Sequence, residues 1–162
     1  MTDVTFDIFS VAEAGGIGAV RVGENLNEIA ELVGPPDYWG FGPDEIFNGY
    51  MGFGPIELYV RSRFDMPFVS MIKIDLMVRK TFFRLKSKSQ SDRYAVTLPK
   101  IEMRTFDDTL NEVRRRKIPF STKLGEGIGP DTSIVIDFLN GSRFYFVNFE
   151  NPVLFSLEII DQ

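Results

Sequence analysis

The chain has 162 residues, 44% hydrophobic and 25% charged, with a net charge of −5, which suits an ordinary globular domain able to bury a core without a metal or a disulfide. It contains no Cys and no His. Disulfides, thiolate metal sites, a cysteine nucleophile and a Ser-His-Asp triad are therefore excluded within the chain, and a metal would need carboxylate and carbonyl ligands.

From the N-terminus, Met1 to Ala14 carries Asp3, Asp7 and Glu13 and no base, unlike a secretory leader. No stretch approaches the roughly 18 apolar residues of a membrane span. A cytoplasmic protein without membrane contact is expected. Val4, Phe6 and Ile8 alternate as in a strand. Gly15-Gly16-Ile17-Gly18 lacks the strand-to-helix context and the Lys-Ser/Thr of a phosphate-binding loop, so no nucleotide cofactor is expected. Gly18–Val22 then reads as a lead-in strand. Asn25 caps a helix whose apolar face is Leu26, Ile29, Leu32 and Val33, and Gly34-Pro35-Pro36 ends it.

The next segment, 37–53, combines acids with aromatic residues. Asp37, Asp44 and Glu45 flank Tyr38, Trp39, Phe41, Phe47 and Tyr50. Paired carboxylates can perform general acid-base chemistry, but nothing in the spacing selects catalysis or an alternating cation loop. Trp39 is the only Trp. Large rigid side chains of this kind dominate binding interfaces. We take Asp37, Tyr38, Trp39, Phe41, Asp44, Glu45 and Tyr50 as candidate partner-binding residues, suited to a protein with a basic patch. The competing expectation folds Trp39 back as a lid on the sheet.

Tyr50–Phe53, Ile56–Arg61 and Val69–Val78 read as three strands. The connector 79–98 is basic, carrying Arg79, Lys80, Arg84, Lys86, Lys88 and Arg93 against Asp92. Phe82-Phe83 and Tyr94, Val96 and Leu98 would form a hairpin about its polar centre. Bases interleaved with Phe suggest single-stranded nucleic acid, but the chain as a whole is acidic and nucleic acid is not expected. Lys100–Arg104 reads as a second lead-in strand. Thr105 caps a second helix, with Asp107 and Asp108 at its positive end and Arg114 to Lys117 at its negative end. Gly125–Gly129 is a loop. Ile134, Ile136 and Phe138 alternate, Asn140-Gly141 signals a tight turn with both residues at positive φ, and Arg143–Phe149 and Leu154–Ile160 follow as strands.

The second half repeats features of the first. Leu26-Asn27-Glu28-Ile29 matches Leu110-Asn111-Glu112-Val113 at an offset of 84, Leu58-Tyr59-Val60 matches Phe144-Tyr145-Phe146 at 86, and Ile72 and Ile74 match Leu157 and Ile159 at 85. The expected architecture is α+β: one domain with an internal duplication (about 15–78, connector 79–98, and 99–162). Each unit is a helix followed by three strands, sharing one antiparallel sheet with the helices on one face. Tyr59, Asp75, Arg143 and Tyr145 would lie near the junction of the units, where a small-molecule cleft is the alternative to a macromolecular interface. A homo-oligomer paired through an edge strand is a third reading.

Val20-Arg21-Val22-Gly23, Ile29 through Pro36, Tyr50 through Tyr59, Ile72-Lys73-Ile74, Phe106 to Pro119 and the strand from Ser133 together resemble small bacterial immunity proteins of toxin systems. That resemblance implies protein binding and no catalytic residue. The tandem order of helix and strands is similar to that of beta-lactamase inhibitory proteins, from which the architecture alone carries over, because those proteins are disulfide-bonded and this chain has no Cys.

Overall fold

A computed structural model describes residues 2–41, 48–78, 82–85, 92–125, 133–147 and 151–160. Strand β1 (Thr2–Asp7) runs directly into helix α1 (Ile8–Ala14). Asp7 makes the switch: its carboxylate accepts the amides of Phe9 and Ser10 at 3.0 and 3.1 Å, and Gly15 closes the helix with φ 68°. The expected strand thus stops one residue early. Ile8 opens a helix that buries Ile8, Phe9, Val11 and Ala12 and that the sequence reading did not contain. A minimal hairpin, β2 (Gly16–Ile17) and β3 (Val20–Arg21), leads to helix α2 (Leu26–Val33). Asn25 caps this helix by accepting the Asn27 amide at 2.8 Å, and Gly34 ends it with φ 73°.

Four strands follow α2, one more than expected: β4 (Tyr38–Gly40), β5 (Gly49–Phe53), β6 (Ile56–Arg63) and β7 (Met66–Asp75). The connector supplies β8 (Phe82–Arg84) and β9 (Asp92–Thr97), the expected hairpin. Helix α3 (Phe106–Arg115) is capped by Thr105, and again four strands follow: β10 (Phe120–Leu124), β11 (Ile134–Phe138), β12 (Ser142–Val147) and β13 (Val153–Ile160). The two additional strands, β4 and β10, are mostly exposed and carry no alternating apolar pattern from which to read them.

Lys100–Arg104 is not a strand. Ile101–Met103 is a turn of 3-10 helix, closed by the Arg104 amide donating to the Ile101 carbonyl, and it precedes the buried side chain of Arg104. That guanidinium, in a residue only 1% exposed, donates to the carbonyls of Pro99 and Val78, both at 2.9 Å, and of Leu76. The Asn140-Gly141 turn also departs from expectation. Only Gly141 has a positive φ, and Asn140 spends its side chain on other groups. Its Nδ2 donates to the carbonyls of Ala12 and Glu13 at 2.8 and 2.9 Å, tying the end of α1 to the β11–β12 turn. A true two-residue turn with both φ positive occurs instead at Phe64-Asp65 (51° and 60°), between Arg63 and Met66.

The fold is α+β. Eight strands form one antiparallel sheet in the order β10-β11-β12-β13-β7-β6-β5-β4, and β1, β9 and β8 form a separate three-stranded sheet in which β1 and β9 are parallel. The last strands of the two four-stranded runs, β7 and β13, pair at the centre. Helices α1, α2 and α3 pack on β12, β7 and β13. One continuous core joins both runs, including Ile56, Leu58, Ile72 and Ile74 from the first and Ile136, Phe144, Phe146, Leu157 and Ile159 from the second. Its aromatic contacts are edge-on, Phe9 to Phe144 at 5.6 Å and Phe106 to Phe146 at 5.1 Å. Because strand residues alternate between faces, burying these positions turns the intervening ones to the opposite face of the sheet.

Candidate functional site

The face of the large sheet opposite the helices carries the densest set of polar and aromatic side chains. Cross-strand register aligns them in rows. The central row crosses five strands: Glu57 on β6 faces Lys73 on β7, Lys73 faces Glu158 on β13, Glu158 faces Arg143 on β12, and Arg143 faces Asp137 on β11. The charges alternate from acid to base along the whole row. At one end Arg143 Nε bonds Asp137 Oδ1 at 2.9 Å, and Lys123 of β10 reaches the other oxygen of the same carboxylate. At the opposite end Glu57 is held by phenols. Tyr59 Oη donates to Glu57 Oε2 at 2.9 Å, and Tyr38 Oη lies 3.3 Å from both Glu57 Oε1 and the Gly54 carbonyl. The Lys73 ammonium makes no hydrogen bond or ion pair with a described residue.

A second row holds Tyr50, Tyr59, Met71 and Ile160, and a third holds Asp75, Ser156, Tyr145, Val135 and Lys123. Tyr50 and Tyr59 stack with centroids 5.5 Å apart, and Tyr38 meets Tyr50 edge-on at 6.4 Å. Glycines set these rings. Tyr38 lies over its cross-strand partner Gly52, where an added Cβ would fall 1.9 Å from the ring, and Tyr50 lies over Gly40, where the distance would be 2.8 Å. Partial burial, followed by the nearby Glu57 carboxylate, pushes the Tyr38 phenol up to about 12, and burial with Glu57 raises Tyr59 as well. Both phenols therefore stay protonated and act as donors near neutral pH, not as bases. Burial also raises Glu158 above the usual carboxylate range, opposed by Lys73 beside it.

The seven candidate residues do not converge. Tyr38 and Tyr50 stand on the open face. Trp39 belongs to the opposite parity: it faces Met51, which faces Leu58 and then Ile72 of the core. Among the described residues no helix covers that outer end, and Trp39 is 70% exposed, Phe41 81%, their rings edge-on at 5.9 Å. Trp39 is therefore not a lid on the sheet. Asp37 has a structural duty, since its Oδ2 accepts the Gly54 amide at 2.9 Å and its own amide bonds the Gly52 carbonyl at 2.8 Å. Asp44 and Glu45 lie outside the described residues. Tyr59, Asp75, Arg143 and Tyr145 do share the open face. Sequence reasoning missed Glu57, Lys73, Asp137, Ser156 and Glu158. The signal was present: each occupies the polar alternate position of a strand.

A groove of about 540 Å³ runs along this face where β7 meets β13, lined by Glu57, Lys73, Asp75, Ser156, Val78 and Phe155 among others. Among the described residues, no group of three or more Asp and Glu is placed to hold a metal, and no helix is long and apolar enough to cross a membrane. No family model, no curated protein and no solved structure matches the chain.

Proposed function

We propose that this chain is a non-enzymatic protein-binding module of the immunity or inhibitor kind, which meets its partner through the open face of the eight-stranded sheet and the adjoining Trp39–Phe41 edge. The observation that carries this reading is the composition of the sheet face opposite the helices, which no described helix covers. Tyr38, Tyr50, Tyr59 and Tyr145 surround a row of alternating charges, and tyrosine beside paired charge is the make-up of a binding interface more than of a catalytic cleft. No described side chain is a nucleophile activated by a neighbouring base, and the raised phenols cannot supply one. We further read the two halves as copies of one unit. Helix and four strands recur in the same order, and Tyr59 and Tyr145 occupy corresponding strands at the offset already visible in the sequence.

The test compares affinity capture from the native host by the wild-type chain, by Trp39→Ala and by Tyr59→Ala. Each variant should keep its circular dichroism spectrum and unfolding midpoint while losing a captured protein by about tenfold or more. Folded variants that capture the same proteins in the same amounts would refute the reading. A small-molecule cleft is the second reading, and the groove between β7 and β13 is the observation that favours it.

A further inference from the structure

We infer that the groove between β7 and β13 is a socket for a cationic side chain, an arginine or a lysine, of the bound protein; this rests on the partner-binding reading above and specifies its chemistry. Two features of the groove leave acceptors without donors among the described residues. Asp75 uses Oδ1 to accept the Met77 amide at 2.8 Å, and its second oxygen has no partner among the described residues. Directly opposite it in register, the Ser156 hydroxyl is buried, in a residue 1% exposed, and has no hydrogen-bond partner. A hydroxyl in that position destabilises the free protein unless something completes it. Ser156 lines the same groove as Asp75, so an N–H group entering there comes to lie beside both.

The charge balance selects the sign of the occupant. Two carboxylates, Glu57 and Asp75, line the groove against one ammonium, Lys73. Lys73 is already flanked across the strands by Glu57 on one side and Glu158 on the other. Both cross-strand neighbours of Lys73 are acids, whereas Asp75 faces the neutral Ser156 and has no ion pair among the described residues. An anion would meet Asp75 and Glu57. A guanidinium or ammonium would meet Asp75 and the Ser156 oxygen, with its methylene stem lying on Val78 and Phe155.

The experiment titrates the full ¹⁵N-labelled chain with N-acetyl-arginine amide and, in parallel, with N-acetyl-glutamate amide. Saturable shifts confined to Asp75, Ser156 and Phe155, and produced by the arginine probe alone, are expected. Ser156→Ala should unfold at the same denaturant concentration as the wild type or slightly higher, because it deletes an unpaired buried hydroxyl, yet weaken the arginine probe by about tenfold. Asp75→Asn should weaken it likewise. Diffuse shifts, equal response to the glutamate probe, or a Ser156→Ala titration identical to wild type would overturn the socket. The two levels separate cleanly. If the arginine probe binds but Asp75→Asn leaves protein capture unchanged, the socket serves a free organic cation and its assignment to a bound protein falls. If capture depends on Trp39 and Tyr59 but neither Asp75→Asn nor the probe has any effect, the socket alone is refuted.

Discussion

Arg104 is a charge almost wholly removed from water and answered by backbone carbonyls of Leu76, Val78 and Pro99. It pins the end of β7 to the segment that precedes α3. Arg104→Met would keep much of the volume but leave those carbonyls without donors, at a cost of about 3 kcal/mol or more. Urea unfolding at neutral pH reads that loss, and a variant within 0.5 kcal/mol of wild type, about the spread of ordinary surface changes, would show that the clamp contributes little. Glu112 gives a second prediction at this scale. Hydrogen bonds from Arg115 and Arg116 hold its carboxyl at about 2, and Asp7 is likewise lowered by its bonds to Ser10 and Arg116 against the opposing effect of burial. A carboxylate whose folded value is depressed stabilises the protein above its unfolded value near 4.5 and loses that contribution as pH falls toward 2. Stability should therefore decline through that window, and Glu112→Gln should flatten the decline. Glu158 works in the opposite sense and in a higher window: its raised value adds stability as pH falls through that value toward 4.5 and adds nothing further below it. Both partners of Glu112 are substantially exposed or surface-lying, so the effect is modest.

Among the elements, the β6–β7 hairpin closes on Phe64-Asp65, both at positive φ and neither glycine. Phe64 is 90% exposed, so no packing compensates its backbone. Replacing the pair with Asn-Gly, the residues this turn geometry prefers, should raise stability by about 1 kcal/mol or more, seen as a higher thermal midpoint. The elements divide into those that local chemistry announces and those it does not. Asn25 and Thr105 mark their helices, and alternation marks β6, β7, β11, β12 and β13. Helix α1 was illegible because its Asp7 cap and Gly15 stop enclose only seven residues that also continue the apolar pattern of β1. Strands β4 and β10 were illegible because an edge strand owes its pairing to its neighbour and not to a buried face of its own. The candidate site suffered from the same difficulty. An exposed aromatic segment stands out in a sequence, whereas a row of single polar residues drawn from five strands becomes a row only when the register is known.

At the scale of the whole molecule, the acidic N-terminal stretch meets the basic end of α3 in space. Arg116, from that helix end, bonds Asp7 at 2.9 Å. The core runs without interruption across β7 and β13, so neither four-stranded run has an interior of its own. Unfolding should be a single transition, coincident by circular dichroism and by Trp39 fluorescence, and the isolated fragment 1–78 should fail to fold because β7 would become an uncovered edge. Two separated transitions, or a folded fragment, would contradict this. What was legible here came from matching positions at offsets of 84 to 86, which predict one shared sheet, while the three-stranded sheet, formed by the N-terminal strand and the connector, includes none of the matched positions.

Half a turn about a line between β7 and β13 would carry β6 onto β12 and β7 onto β13. On such a surface a visiting molecule could in principle settle in two orientations that differ by that rotation and look alike to it. The charged row removes the ambiguity. The rotation sends Glu57 to the place of Arg143 and Lys73 to the place of Glu158, so these four charges are exchanged for their opposites, while Asp137 falls on the place of the uncharged Gly52. A pose that is matched in one orientation is repelled in the other. The near-symmetric scaffold is thereby given a top and a bottom, and a partner of the proposed kind would be matched in one orientation only.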